Sequence, residues 1–188
     1  MSAASTFVVA HLVTTGLGPV YDGVSHLLVS PEDAIAVIAL ALLAGLNGPA
    51  AARTGIFAAT TGWLVGGIGG FWSGAAPAHA TAAAASFLAI GSLVAVDRRL
   101  PPPVVGVLAA SVAVWHGWLN GASMAASGVD ALALAGIVTA AFVVMTLTAA
   151  FASAQRDGWT RIAVRVAGSW VAAVGLLMLG WSLRRPPV

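Results

Sequence analysis

The sequence predicts an all-α fold, a polytopic transmembrane helical bundle of six or seven apolar segments, the first one broken or re-entrant. Three observations predict it. Of 188 residues, 60% are hydrophobic and only 7% charged, and the mean hydropathy is +0.97, far from the mix of a soluble domain. The apolar residues gather in runs of roughly 17 to 25, the length a bilayer demands of a helix. These runs lack the alternation of barrel strands, and lipid cannot hydrogen-bond a bare backbone, so α-helices are the expected spanning element. A single transmembrane helical domain, residues 1–188, is expected.

The first segment, about Thr6 to Val29, is interrupted at Gly16, Gly18 and Pro19 in the stretch GPVYDGVSH, where a helix should break. No basic region precedes it, so it reads as retained structure rather than a cleaved signal peptide. The second segment opens on SPED. Ser30 is expected to cap it, Pro31 fits the first helical position, and Glu32 and Asp33 sit where the helix dipole favours negative charge. It should end near Gly48 and Pro49. The third, about Thr54 to Trp72, carries Gly62, Gly66 and Gly70 at four-residue spacing, a stripe that lets membrane helices approach closely. The fourth runs from about Thr81 to Val96 and ends in the polar loop DRRLPPP. The fifth, about Val104 to Ala126, contains WHGWLNGASM. The sixth, about Asp130 to Ala154, has Ser127 and Asp130 at capping-box spacing before it. The last, about Ile162 to Leu183, closes in RRPPV.

All eight basic residues are arginine and the formal net charge is +2, a balance that gives no reason to expect nucleic acid as a partner. The arginines report orientation instead. Arg53, the pair Arg98 and Arg99, and the group Arg156, Arg161 and Arg165 lie in loops two spans apart, so one orientation sets all of them on the cytoplasmic side. The loops Ser73 to Thr81 and Ser127 to Asp130 then face out. Arg184 and Arg185 would fall outside if seven full spans exist, against that rule; if the first segment is re-entrant, six spans remain, the later loops keep their sides and the N-terminus moves outside. With no cysteine, a disulfide framework and thiolate ligation are both excluded.

A polar side chain at the centre of a span costs enough, about 2.5–3.5 kcal/mol for an aspartate on insertion scales, to need a partner or a function. Asp22 and His26 are four residues apart, as are His116 and Asn120, so on helices each pair shares a face. Carboxylate, imidazole and amide oxygen suit Ni²⁺, Co²⁺ or Zn²⁺ and suit Cu⁺ poorly. Glu32 and Asp33, beyond their helix-start roles, would concentrate cations at an outer mouth. His11 lies at membrane depth upstream of the break and completes the candidate ligand set. Met124 extends the His116 face by a turn and reads as core filler. His79 falls in a solvated loop, and Asp97, Asp130 and Asp157 are loop or cap residues. Discontinuous helices commonly build ion sites, because freed carbonyls and helix ends can coordinate.

Residues 88–122, LAIGSLVAVDRRLPPPVVGVLAASVAVWHGWLNGA, resemble the HupE/UreJ family of small membrane proteins. The family pattern there is an apolar helix, an arginine-rich loop with Leu-Pro, then Phe-His-Gly-x-Ala-His-Gly. Trp115 stands at the Phe and Asn120 at the second His. The other hallmark, His-Pro-x-x-Gly-x-Asp-His-Leu, is similar to GPVYDGVSHLL and matches at Pro19, His26 and Leu27. Gly18 stands at its first His and Ser25 at its Asp, the spacing is one residue longer, and Asp22 is the carboxylate at hand to replace the lost one. The resemblance implies nickel or cobalt permeation of the kind that accompanies hydrogenase and urease maturation, a site in a bacterial inner membrane, and metal-ligand roles for His26 and His116, with Asn120 as a ligand position of altered type.

The leading expectation is therefore a permease whose substrate, Ni²⁺ or Co²⁺ with Zn²⁺ also suited to the donors, is held between the broken first segment and the fifth helix. No organic cofactor is implied. No ATP-binding motif is present, so movement would be passive, gradient-driven or powered by a partner. The alternative is a non-catalytic accessory or assembly subunit, joining a homo-oligomer or a larger membrane complex through the Gly62, Gly66 and Gly70 face. No Ser/His or paired-Asp constellation in the sequence supports an intramembrane enzyme.

Overall fold

The computed structural model describes residues 15–74, 80–155 and 158–184, and among them there is no strand. Seven helices follow in order: α1 Pro19–Val29, α2 Pro31–Leu46, α3 Pro49–Ser73, α4 Ala80–Val96, α5 Pro102–Ala126, α6 Leu132–Ala154 and α7 Trp159–Arg184. Proline opens α1, α2, α3 and α5, where its missing N–H costs nothing and its fixed φ suits the first turn. By length and composition α5, α6 and α7 are each able to cross a membrane, and α1 with α2, bent by 76° at Ser30, would make a fourth span or a re-entrant loop. α3 is as long as α5, but its Gly, Thr and Arg residues lower its hydropathy. α4 is a shorter apolar helix, held to 17 residues.

α2 lies at the centre and touches every other helix. Its residues from Ala39 to Leu46 are all buried, and a helix walled in on all sides is apolar all round, which explains why this segment carries no polar stripe. Around it stand three closely packed pairs, α3 with α5, α4 with α7 and α1 with α6. The glycine stripe makes the first pair. A methyl group at Gly66 or Gly70 would overlap the carbonyl of Val114 or Trp118, and one at Gly121 would overlap the Gly67 carbonyl, so the two backbones touch where side chains would hold them apart. The face expected to serve a homo-oligomer or a larger complex is thus consumed within the chain, and Gly62, Gly66 and Gly70 are all buried.

Two predicted caps are corrected. Ser30 occupies the N-cap position of α2, yet its hydroxyl makes no cap bond and lies instead 3.4 Å from His26 Nδ1. Ser127 and Asp130 form no capping box: Ser127 ends α5, and Asp130 accepts a bond of 2.8 Å from the Leu132 amide. The expected break at Gly18 and Pro19 is the start of α1, with Gly18 at φ 107°, and the sharp bend comes one helix later.

One end of the bundle is tied by polar contacts. Arg161, in the first turn of α7, donates from Nε and Nη2 to both carboxylate oxygens of Asp97, at 2.6 and 2.8 Å, and from Nη1 to the Gln155 carbonyl. Arg165 Nε reaches the Ala95 carbonyl at 3.0 Å. Asn47 Oδ1, just past α2, accepts from the Leu100 amide at 2.6 Å. This end carries Arg98, Arg99, Arg161 and Arg165. The opposite end holds the α1–α2 elbow.

Candidate functional site

Four polar side chains are buried among the described residues: His26, Asp33, His116 and Asn120. They meet in one cluster. The elbow at Ser30 makes this happen, because it brings the last turn of α1 and the first turn of α2 to the same place and aims His26 and Asp33 toward α5. There His116 and Asn120, one turn apart, share a face. Asp33 is the hub. Its Oδ1 shares a hydrogen bond of 3.1 Å with His116 Nδ1, its Oδ2 accepts from Asn120 Nδ2 at 3.0 Å, and His26 Nε2 stands 3.9 Å from Oδ2. Asn120 Nδ2 also donates to the His116 carbonyl at 2.8 Å.

The surroundings are apolar. The His116 ring stacks on Phe87 at a centroid distance of 5.9 Å and lies 5.7 Å from the Trp63 ring. Its second nitrogen, Nε2, is 3.4 Å from Ser86 Oγ of α4, whose proton goes to the Ala83 carbonyl at 2.7 Å. His116 sits ten residues before the end of α5 at Ala126, about 15 Å at the rise of an α-helix, so the cluster lies in the half of the bundle away from the Arg-rich end. Two buried polar atoms near it have no partner among the described residues, Asn120 Oδ1 and Trp63 Nε1. A buried polar group left unpaired costs about 1–3 kcal/mol, and most such groups in folded proteins have a partner.

The other residues expected at the site lie apart from it. Asp22 shares a helix face with His26, but its carboxylate is taken by Thr15, whose amide and hydroxyl both donate to Oδ1 at 2.6 Å. Glu32 is exposed, beside the elbow. His11 lies outside the described residues. Asp33, expected at an outer mouth, is turned inward instead. A signal for this was present: Asp33, Val37, Leu40 and Ala44 form one stripe at helical spacing, and the last three are buried. Ser86 was missed, for nothing in α4 distinguishes this hydroxyl from the others that bond back to their own helix. At the expected break the Gly18 carbonyl accepts from the Asp22 amide at 3.1 Å, and at the Ser30 bend the His26 and Ser30 carbonyls accept from the Ser30 and Ala34 amides at 2.9 and 3.0 Å.

Among the described residues no three of His, Asp and Glu form a group already spaced to hold a metal ion. The carboxylate is instead spent on hydrogen bonds inside the cluster. The donor set is still that of a cation site, two imidazoles, one carboxylate and an amide oxygen, and Asn120 Oδ1 is an acceptor with no donor.

The family model described as HupE / UreJ protein matches residues 1–178. The chain belongs to this family. Among the curated proteins it is similar to Protein HupE of Rhizobium leguminosarum bv. viciae, with 29% identity over 159 residues covering 73% of this chain and 83% of that protein. No solved structure matches. The family match agrees with the apolar helices in making this an integral membrane protein.

Proposed function

We propose that the chain is a membrane permease for a divalent transition metal, Ni²⁺ or Co²⁺, acting in a bacterial inner membrane. The observation that carries this reading is the meeting of His26, Asp33, His116 and Asn120 in an otherwise apolar bundle. Burying four such groups is costly unless they serve a purpose. Family membership supplies the second support, through the metal permeation that the resemblance implies.

The residues have distinct tasks. His26 and His116 offer ring nitrogens to the cation, Asp33 offers charge, and Asn120 offers a neutral oxygen. Together they replace part of the water shell that an ion loses on leaving solution. As it stands, Asp33 is bonded to His116 and Asn120, so a cation enters by taking over the carboxylate from them. The elbow suits that exchange, because α1 and α2 join only through Ser30 and the His26–Asp33 spacing follows their angle. Glu32, exposed at the same end, raises the local cation concentration. The accessory-subunit reading loses the feature that suggested it, since the glycine stripe is packed against α5.

The test is uptake of radioactive nickel or cobalt into proteoliposomes holding the wild type, His26→Ala or His116→Ala. Uptake above empty vesicles that falls at least about tenfold in both variants is expected, the scale of losing a group that holds a metal. Accumulation unchanged in both rejects the site.

A further inference from the structure

Arg161 and Arg165 stand one turn apart near the start of α7, and their guanidinium groups are used differently. Arg161 is spent: Nε and Nη2 grip Asp97, and Nη1 donates to the Gln155 carbonyl. Arg165 gives only Nε, to the Ala95 carbonyl at 3.0 Å. A guanidinium has five N–H donors, so the four on Nη1 and Nη2 of Arg165 are left without an acceptor among the described residues. Arg98 and Arg99 follow Asp97 directly, are exposed, and like Arg165 have no carboxylate partner among the described residues. Asp97 is the one acidic side chain at this corner among the described residues, and Arg161 already holds it. Three cations therefore remain there without a counter-charge.

The same corner is apolar on its outer side. Arg165 lies six residues beyond Trp159, about 9 Å at the rise of an α-helix, and Trp159, Ile162 and Val166 are exposed around it, as is Val96 at the end of α4. α7 is long and apolar enough to cross a membrane, and Trp159 at its first position stands where aromatic residues gather between lipid tails and water. The Arg165 side chain leans toward the start of its helix, and its bond to Ala95, two residues before Asp97, holds it there. A charged head on an apolar helix face takes that course to reach the headgroup level.

We infer that Arg165, with Arg98 and Arg99, holds the phosphate of an anionic phospholipid at the corner between α4 and α7. The free fork of Arg165 fits two phosphate oxygens. Arg98 and Arg99 supply the charge that selects an anionic headgroup over a zwitterionic one, and the lipid tails run along Ile162 and Val166. This site lies at the other end of the bundle from His26 and Asp33 and does not depend on the permease reading.

The experiment measures lipid binding to the purified full-length chain in detergent, with dissociation constants read by native mass spectrometry for phosphatidylglycerol and for phosphatidylcholine with the same tails. The wild type should bind phosphatidylglycerol about tenfold more tightly or better. Arg165→Gln should weaken that lipid about fivefold, and Arg98→Gln with Arg99→Gln about twentyfold, the attraction of a basic residue to an anionic lipid surface counted once and twice. Arg53→Gln removes an exposed charge at the same end, from the first turns of α3, and should change the affinity by less than about twofold. Equal affinity of the wild type for the two lipids overturns the site. Equal losses in Arg53→Gln and Arg165→Gln overturn it as well, leaving only a diffuse field of positive charge. Release of phosphatidylglycerol by millimolar inorganic phosphate overturns it in a third way, as the mark of a site for the free anion. Should Arg165→Gln fail to give a monodisperse protein, the variant changed at Arg98 and Arg99 decides alone.

Discussion

Two aspartates at opposite ends of the bundle are held in opposite ways. Asp97, at the Arg-rich end, accepts from Nε and Nη2 of Arg161 in a bidentate pair, and the two side chains are 16% and 24% exposed. Asp33, in the half away from that end, is 9% exposed at its side chain and is held by an imidazole and an amide. The guanidinium is a permanent charge whose fork matches a carboxylate, so Asp97 has no reason to change partners. On the permease reading proposed above, the imidazole and amide turn to a cation together with the carboxylate. The first arrangement closes a loop onto a helix, and the second, on that reading, is an exchangeable set.

The sharpest way to break this comparison is to remove each charge while keeping its shape. Asp33→Asn should lower metal uptake by about a hundredfold, at the upper end of what is lost when a group supporting a metal is removed, while thermal unfolding in detergent changes little, because an amide still bonds to His116 and Asn120. Asp97→Asn should do the reverse. The α4–α5 connection loosens from α7 and the protein loses about 1–2 kcal/mol, between the values for exposed and buried pairs, with uptake per folded molecule unchanged. Equal losses of uptake in both variants would erase the distinction.

That distinction also shows what the sequence can and cannot say. Among the described residues helix order was legible and the bounds fell within about five residues, because bilayer length and proline punctuation act locally and leave marks. His116 and Asn120 were legible as a pair for the same reason, since spacing of four on one helix is a local fact. The place of Asp33 was not. Its neighbours in sequence give it a helix-start role, and it has that role; only the 76° bend at Ser30 turns the first turn of α2 into the bundle. A bend angle is set by packing of α1 on α6 and of α2 on everything around it, and no short window of residues encodes it. Asp22 fails for a related reason: the face it shares with His26 was read correctly, but Thr15 claims the carboxylate first.

A smaller effect separates the two ends by salt. Arg161→Gln should cost about 1 kcal/mol, and the difference from wild type should shrink as ionic strength rises, because a partly exposed pair is screened over a Debye length of about 8–10 Å. A double-mutant cycle with Asp97→Asn should be non-additive, each change having already removed the same contact. Unfolding curves in detergent at low and high salt read both quantities, and additive losses would mean that the bidentate pair contributes nothing as a pair.

The least disruptive change tests whether the exchangeable set extends to α4. Ser86 Oγ already donates to its own helix at Ala83 and presents only lone pairs to His116 Nε2. If Ser86 merely steadies the ring, Ser86→Ala should lower uptake by about twofold, because Asp33 on Nδ1 and the Phe87 and Trp63 rings still hold the imidazole in place. If instead the hydroxyl ligates the cation, the loss should approach the roughly tenfold expected of His116→Ala. The distance of 3.4 Å is at the long limit for a hydrogen bond, which favours the smaller effect, and a loss near tenfold would move the centre of the site from the α1–α2 elbow toward α4.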